Sequence, residues 1–143
     1  MEMRTLTIGD YDEMVKLWIQ SALPFKPKGR DSRRAIASQM ETDSSLFLGA
    51  FKNDTLVGVV IGSYDYRGKG WINRLAVNPK YRRQGIGQRL ITSMEKILKE
   101  KGAVVTCALI EERNQESIAI FEKLGYISEK AILYFSKRES EEA

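Results

Sequence analysis

The loop Arg82–Gly87 carries the residue types of an anion-binding site. It reads Arg-Arg-Gln-Gly-Ile-Gly and lies between the apolar segment 71–77 and a segment with helical periodicity. A strand, a glycine-containing loop and a helix in this order bring main-chain N–H groups and the positive end of a helix dipole to one place. The side chains of Arg82 and Arg83 add charge and planar N–H donors that suit phosphate oxygens. The sequence therefore predicts that this loop binds a phosphorylated ligand.

Two common phosphate-binding loops do not match these residues. A P-loop needs Lys and Ser or Thr directly after its last glycine, to reach the phosphates and magnesium, whereas Gly87 is followed by Gln88 and Arg89. A dinucleotide-binding loop needs a third glycine for close helix packing, and that position is Leu90. The pattern that remains is Arg/Gln-x-x-Gly-x-Gly after an apolar strand.

The hydrophobic pattern predicts the elements that position this loop. Apolar residues at helical spacing indicate four helices, and apolar runs between turn residues indicate the strands. Asp10, with Glu13 in a capping-box position, and Asp31 are the expected N-caps of the first two helices. This order predicts an α/β protein with a mixed α+β sheet covered by helices. The predicted helices span about 10–22, 31–40, 85–101 and 114–124, and the predicted strands 3–8, 46–51, 55–66, 71–77, 103–110, 126–127 and 131–136.

Length and composition indicate a single domain over residues 1–143. The chain has 143 residues, 43% of them hydrophobic and 29% charged, which suits one packed core. The charged segment 137–143 is expected to fray. No apolar run approaches the roughly 18 residues of a membrane helix, and the first residues lack the pattern of a secretory signal. A cytoplasmic location, with no membrane contact, is the resulting expectation.

The absence of histidine restricts the chemistry. The chain has no histidine and one cysteine, Cys107, which excludes Ser-His and Cys-His catalytic pairs and an internal disulfide, and no metal site is expected. Cys107 lies in an apolar predicted strand and is interpreted as a core residue. Proton transfer must use Asp, Glu, Tyr, Lys or water. The net charge of +4 suits an anionic ligand, but no recognition helix or aromatic stacking surface indicates nucleic-acid binding.

A second segment, Asn114–Tyr126, points to a family. It reads Asn-Gln-Glu-Ser-Ile-Ala-Ile-Phe-Glu-Lys-Leu-Gly-Tyr and is similar to the Asn-x-x-Ala/Ser-x-x-x-Tyr-x-x-x-Gly-Phe/Tyr segment of the GNAT superfamily of N-acetyltransferases. The loop Arg82–Gly87 with its preceding strand resembles the pyrophosphate-binding motif of that family. The resemblance runs from about Met3 to Phe135. The residues that also resemble the small stand-alone YpeA-like acetyltransferases are Ser45–Leu48, Tyr64-Asp65 and Arg67-Gly68.

The resemblance implies a fold and a co-substrate. The fold would be the GNAT-like acyl-CoA N-acyltransferase fold, with a central, mostly antiparallel sheet flanked by helices. Acetyl-CoA would be the co-substrate, and a primary amine would attack its thioester carbonyl directly while a main-chain N–H of Leu75 or Val77 holds the oxyanion. The cofactor-binding residues that the resemblance implies are Leu75, Ala76, Val77, Arg82, Arg83, Gln84, Gly85, Ile86, Gly87, Gln88, Asn114, Ser117 and Phe121.

The chain departs from the family at the proton donor. Family members commonly use a tyrosine to protonate the departing thiolate, and the matching position is Phe121. A thiol has a reference pKa of about 8.5, so a thiolate leaves without much help. Tyr126 is the first candidate for a replacement donor. The alternatives are water and three further tyrosines, Tyr64, Tyr66 and Tyr134.

The base that deprotonates the acceptor amine is open at this level. The strand 71–77 offers no carboxylate, and the position on the next strand where some relatives have one is Leu109. Asp65 and Glu112 are the candidate bases, and Asn73 is a candidate for ordering a water. The competing interpretation is that both acids are ordinary surface carboxylates.

The predicted function is acetyl-CoA-dependent N-acetyl transfer to a primary amine, which a small molecule or a protein supplies. The basic segment Pro24–Arg30 favours an acceptor that carries a carboxylate. The alternative is a non-catalytic acyl-CoA-binding or regulatory module, because Phe121 replaces the usual tyrosine. Both a monomer and a homodimer fit the sequence.

Overall fold

A five-stranded sheet and four helices make up the protein, in a computed structural model that describes residues 1–143. Short 3-10 turns at Ile8–Asp10, Ser44–Leu46 and Pro79–Tyr81 precede the first helix, the second strand and the third helix. None of the helices has the length and apolar character needed to cross a membrane. The elements are β1 (Glu2–Thr5), α1 (Tyr11–Gln20), α2 (Arg33–Thr42), β2 (Phe47–Lys52), β3 (Thr55–Tyr64), β4 (Lys69–Val77), α3 (Ile86–Lys101), β5 (Val105–Cys107) and α4 (Gln115–Lys123).

The strands follow one another in the sheet in sequence order. All neighbours are antiparallel except β4 and β5, which are parallel. The mixed, mostly antiparallel sheet flanked by helices is therefore confirmed. Helix α3 lies close against β3, because Gly58 and Gly62 have no side chain. A Cβ on these glycines would clash with Leu90 and Met94 of α3. Trp18 anchors α1 in the same core and is completely buried.

The starts of the first two helices differ from the prediction. The side chain of Asp10 bonds to residues that precede α1. Its carboxylate accepts the main-chain N–H of Thr7 (2.9 Å) and pairs with Arg4 (3.0 Å). Asp10 therefore completes the capping box of the 3-10 turn, in which Thr7 is the N-cap, and Glu13 forms no capping bond. Helix α2 is capped by Ser32, whose Oγ accepts the N–H of Ala35 at 3.1 Å. Asp31 was the wrong prediction for this cap: its side chain is buried and turned towards β4.

The predicted strands near the C-terminal end are also wrong. The predicted strand 103–110 is reduced to β5, and the segments 126–127 and 131–136 form no strand. Between residues 126 and 136 the main-chain N–H groups donate only twice to main-chain acceptors, from Tyr126 to Phe121 and from Ile132 to Glu129. A strand needs a neighbour for its ladder bonds, and these apolar residues have none. Residues 137–142 are exposed, and Lys26 Nζ contacts the carbonyl of Glu141. Fraying of this segment stays a prediction, as does the single-domain boundary.

Candidate functional site

A bulge interrupts β4 beside the centre of the sheet. Val59 pairs with Ala76 and Ile61 pairs with Asn73, so the residues between, Arg74 and Leu75, both face Val60. Arg74 has a φ of 56°, in the left-handed region that residues with a side chain rarely adopt. A bulge of this kind bends the strand and leaves one residue outside the ladder. The main chain of β4 therefore has an irregular point next to Leu75, which is one of the two residues, with Val77, whose main-chain N–H is predicted to hold the oxyanion.

A groove of about 600 Å³ opens where β4 loses its second neighbour. The pairing of β4 with β5 ends at Trp71 and Cys107, whereas β4 continues to Val77. The groove is lined by the end of β4, the loop before α3, the start of α3 and one face of α4. Its lining residues are Ser21, Leu75, Ala76, Val77, Pro79, Tyr81, Arg82, Arg83, Gly85, Ile86, Gly87, Gln88, Asn114, Glu116, Ser117, Ala119 and Ile120.

The start of α3 presents unused donors to this groove. Gly85 precedes the helix with a φ of 76°, and a side chain there would be strained although it would meet open space. The main-chain N–H groups of Ile86, Gly87 and Gln88 have no main-chain acceptor, since the first bond of this turn runs from Arg89 to Gly85 (3.1 Å). At Gly87 a Cβ would lie 3.2 Å from Ile120 of α4, so this glycine lets the two helices approach.

The charged side chains of the loop are partly committed to protein partners. Arg82 Nη1 lies 3.1 Å from Glu116 Oε1 on the first turn of α4. Gln84 accepts a hydrogen bond from Lys52 and turns away from the groove. Arg83 lines the groove with no acidic partner and has a φ of 63°. The loop thus offers an anion one free guanidinium, one that is paired with a carboxylate, and the free N–H groups of α3.

Most of the predicted cofactor-binding residues meet at this groove. Two of the predicted residues, Gln84 and Phe121, do not line the groove, and the others do. Phe121 is instead buried against Tyr126, with the two ring centroids 4.9 Å apart. Ile120 also lines the groove but was not predicted. It lies one helical turn after Ser117, on the same face of α4, so this spacing could have identified it. The other lining residues that were not predicted are Ser21, Pro79, Tyr81, Glu116 and Ala119.

Asp65 and Asn73 lie outside the groove. The carboxylate of Asp65 accepts the N–H groups of Arg67 (2.7 Å) and Lys69 (3.0 Å) and closes the turn between β3 and β4. These main-chain hydrogen bonds lower the pKa of Asp65, which stabilises the carboxylate as a turn acceptor. Asn73 reaches Ser63 Oγ at 3.4 Å. Their roles as base and water-ordering residue stay predictions.

Glu112 and Tyr126 have different surroundings. Glu112 is exposed. Its main-chain carbonyl accepts a hydrogen bond from the side chain of Gln115, and its carboxylate has no hydrogen-bond partner. The hydroxyl of Tyr126 donates to Glu95 Oε2 (2.7 Å) and lies 2.9 Å from Thr106 Oγ1. Burial, with the neighbouring Glu95 carboxylate, raises the pKa of Tyr126. Neither side chain lines the groove, and their catalytic roles also stay predictions.

A polar pocket of about 350 Å³ adjoins the groove at the end of α1. It shares Ser21, Arg82, Asn114 and Glu116 with the groove, and the rest of its wall includes Glu111 and Arg113. Arg113 Nη2 donates to the carbonyl of Ala22 (3.1 Å) and so connects the end of α1 to the loop before α4.

Comparison with known proteins identifies the family. Residues 11–126 match the profile of the Acetyltransferase (GNAT) family. An acetyltransferase of Yersinia pestis (strain Pestoides F) is 34% identical over 134 residues, which cover 93% of this chain and 92% of that protein. The chain belongs to the GNAT family of acetyltransferases, and the predictions of family and enzyme class are confirmed.

Solved structures of similar shape confirm the fold. The PaiA N-acetyltransferase of Thermoplasma acidophilum, solved in complex with coenzyme A, superposes with a TM-score of 0.79 at 24% identity, over 90% of each chain. An aminoglycoside antibiotic 6'-N-acetyltransferase of Acinetobacter haemolyticus gives a TM-score of 0.76 at 19% identity, over 98% of this chain and 100% of that one.

Proposed function

We propose that this protein transfers the acetyl group of acetyl-CoA to a primary amine. The observation that carries the proposal is the row of free main-chain N–H groups at Ile86, Gly87 and Gln88, which face a groove lined also by α4 and the end of β4. N–H groups at a helix N-terminus favour phosphate oxygens. The related structure with coenzyme A, and the family of the chain, support CoA as the phosphorylated ligand.

The groove fits the parts of CoA in order. The N–H groups of α3 and the side chains of Arg82 and Arg83 would hold the pyrophosphate, where the left-handed Gly85 gives access. The apolar edge of Val77 and Ile120 would line the path of the pantetheine arm. The irregular main chain beside Leu75 would place an N–H group near the thioester oxygen. Acetyl-CoA supplies the acetyl thioester, and no metal takes part in the proposal.

Water is the proton carrier that this arrangement favours. The acceptor amine must lose a proton before it attacks, because an alkylamine has a pKa of about 10.4. The oxygens of Asp65 are held by the β3–β4 turn, and the proton of Tyr126 is directed at Glu95. The polar pocket beside Glu111 and Arg113 adjoins the groove, and water in this pocket would carry the proton away. The CoA thiolate would then take its proton from the same water. The reaction would lack the rate acceleration that a positioned general acid contributes.

The test is turnover with a panel of amines. The protein is incubated with acetyl-CoA and each of a set of amines, amino acids, polyamines and peptides, and acetylated product is measured by mass spectrometry. This readout avoids thiol reagents, which would also react with Cys107. We expect product with at least one class of acceptor. Stabilisation by acetyl-CoA without any product would instead support a non-catalytic acyl-CoA-binding module.

A cytoplasmic location belongs to this proposal as well, since acetyl-CoA is made and used inside cells and the chain has one cysteine.

A further inference from the structure

Unpartnered donors of the protein interior gather at one point. Four buried side-chain polar atoms lack a hydrogen-bond partner, and they are Trp18 Nε1, Ser21 Oγ, Arg74 Nε and Arg74 Nη2. Arg74 lies on the β4 bulge with its guanidinium 4.4 Å from the Trp18 ring centroid. Ser21 is the residue that ends α1, and it lines the groove. Trp18 and Ser21 lie one helical turn apart at the end of α1, and Arg74 of β4 stacks on Trp18, so the unsatisfied groups lie between the end of α1 and β4.

These atoms share one chemical character. The guanidinium and indole N–H groups can only donate, and a hydroxyl can donate as well. A buried polar group without a partner costs about 1–3 kcal/mol, and a charged one costs more. Burial lowers the pKa of Arg74, and the negative charge of Asp31 opposes that change. A cluster in which every group can donate matches a ligand group that has only acceptors, such as a carboxylate.

The free atoms of Arg74 form one edge of the guanidinium. Its Nη1 donates to the carbonyl of Pro24 at 2.6 Å, which fixes the direction of the side chain. Nε and Nη2 remain, and these two parallel N–H groups are the fork that binds both oxygens of a carboxylate. A positioned and unoccupied fork is the arrangement expected of a binding group.

Asp31 does not occupy this fork. Its Oδ2 lies 3.7 Å from Arg74 Nη2, beyond hydrogen-bond distance. The same oxygen accepts the N–H of Lys26 at 2.9 Å, and the carbonyl of Asp31 accepts the hydroxyl of Tyr11. These bonds hold Asp31 in the loop before α2, where it balances the charge of Arg74 from a distance.

We propose that Arg74 is a specificity-determining residue that binds a carboxylate on the acceptor, so that the acceptor is an amine of the amino-acid type. The inference rests on the proposed function, because it assigns the second substrate of that reaction. Leu75, the next residue, lines the groove, and Ser21 joins the groove to the donor cluster. The segment 22–31 contacts Arg74 through the carbonyl of Pro24 and the carboxylate of Asp31. Its Arg30 adds a positive charge without an acidic partner, whereas Lys28 is paired with Glu142. Arg74 itself lines neither the groove nor the adjoining pocket, so the acceptor carboxylate would reach it from the side of Ser21, which lines both.

The first measurement compares matched acceptors. The kcat/KM of the wild-type protein is determined for several amino acids and for their amides, which keep the amine and lose the carboxylate. We expect the acids to be preferred about 10- to 100-fold, the size of a charge-assisted hydrogen-bonded pair. The amines of the amino-acid amides are less basic than those of the amino acids, so a larger fraction of them is unprotonated at neutral pH. Without recognition of the carboxylate, the amides would therefore react faster than the amino acids.

Variants then locate the recognition. Arg74→Met keeps an unbranched stem over Trp18 and should abolish the preference through the KM of the acids, with the KM of acetyl-CoA unchanged. Arg34→Met, an exposed arginine on α2, is the matched control and should keep the preference. Asp31→Asn removes the nearby anion and should lower the KM of the acids, a gain that a folding defect does not produce. Arg74→Lys keeps the charge without the fork and should lose about tenfold.

Direct binding separates this inference from the proposed function. Amino acids are titrated by calorimetry into the wild-type protein and the Arg74→Met variant, each saturated with CoA, and this readout needs no turnover. Binding that the substitution removes supports the carboxylate site even if no acetyl product forms, a result that would count against the proposed function alone. Equal binding by both proteins, no binding by either, or weakened acetyl-CoA binding in Arg74→Met would each overturn the inference.

Discussion

Arg82 and Glu116 face each other across the mouth of the groove, with Nη1 and Oε1 3.1 Å apart. Arg82 belongs to the loop before α3 and Glu116 to the first turn of α4, so the pair connects the two sides of the proposed pyrophosphate site. A carboxylate here holds the guanidinium that a phosphate would otherwise bind. Binding of CoA therefore requires that its phosphate compete with Glu116.

Removal of this competing charge should strengthen CoA binding. Exposed ion pairs contribute about 0.2–1 kcal/mol, so we expect Glu116→Gln to lower the Kd of CoA by about two- to fivefold at low ionic strength. The gain should shrink in about 0.5 M salt, because both side chains are partly exposed. Calorimetric titration measures both values. Glu122→Gln, on the same helix without an ion pair, is the control, and equal Kd values for the two variants would contradict the competition.

The conformation at Gly85 allows a substitution with a matched control. Gly85→Glu places a side chain and a negative charge at the anion site, and it also strains a residue with a φ of 76°. Gly125 has a φ of 95° and equally open surroundings, so Gly125→Glu has the same type of strain away from the groove. A ligand at 100 times its Kd stabilises the native state by about 2.7 kcal/mol. We expect acetyl-CoA to raise the Tm of wild type and Gly125→Glu by several degrees and to leave Gly85→Glu unchanged.

The loop could be predicted from sequence because its requirements are local. Gly85 must adopt a left-handed conformation, and Gly87 must allow close approach of α4. Both requirements select glycine, so the two glycines within three residues reveal them in the sequence. Helix α4 follows the same logic, since Asn114 caps it by accepting the N–H of Ser117 at 3.2 Å. Such short-range patterns bring the cofactor side of the site together without knowledge of the sheet.

The acceptor side could not be predicted, because its contacts join distant parts of the chain. Arg74 adopts a left-handed conformation without being a glycine, and its partner Pro24 is 50 residues away. The sequence predicts Tyr126 as a proton donor, but it does not show that Glu95 and Thr106 contact the Tyr126 hydroxyl. The apolar run 131–136 has the composition of a strand, but pairing depends on a neighbour that composition does not reveal.

Acid should remove one stabilising contact of the fold. Lys101 Nζ bonds to Asp43, and this contact is the main reason that the pKa of Asp43 lies below its usual value. A lowered folded-state pKa stabilises the protein above the unfolded-state value of about 3.9, and the contribution is lost as pH falls through the folded-state pKa. We expect Asp43→Asn to have a lower Tm than wild type at pH 7 and the difference to shrink below pH ~4. Asp54→Asn, in the exposed β2–β3 turn, should show no such convergence in thermal melts.

Tyr126 provides a test of the predicted proton donor. A phenol whose pKa is raised above its ordinary value of about 10 is a poor acid for a thiolate of pKa about 8.5. Tyr126→Phe removes the bonds to Glu95 and Thr106, so we expect a loss of about 1–2 kcal/mol in unfolding free energy and a kcat within twofold of wild type. Thr106→Val removes one of the same bonds and should give a smaller loss. A hundredfold fall in kcat would instead assign Tyr126 the acid role.

Phe121 provides the reciprocal test, because the resemblance to the family segment places it at the position of the expected acid tyrosine. Its ring is 4% exposed and meets the Tyr126 ring edge to face, at 88° and 4.9 Å, rather than lining the groove. A hydroxyl added there would be buried without a partner, which costs about 1–3 kcal/mol. We therefore expect Phe121→Tyr to lower the Tm by several degrees and to leave kcat unchanged with the best acceptor. A tenfold or larger rise in kcat, absent in the size-reducing control Phe121→Leu, would show that the new hydroxyl reaches the departing thiolate and that its protonation limits the wild-type rate.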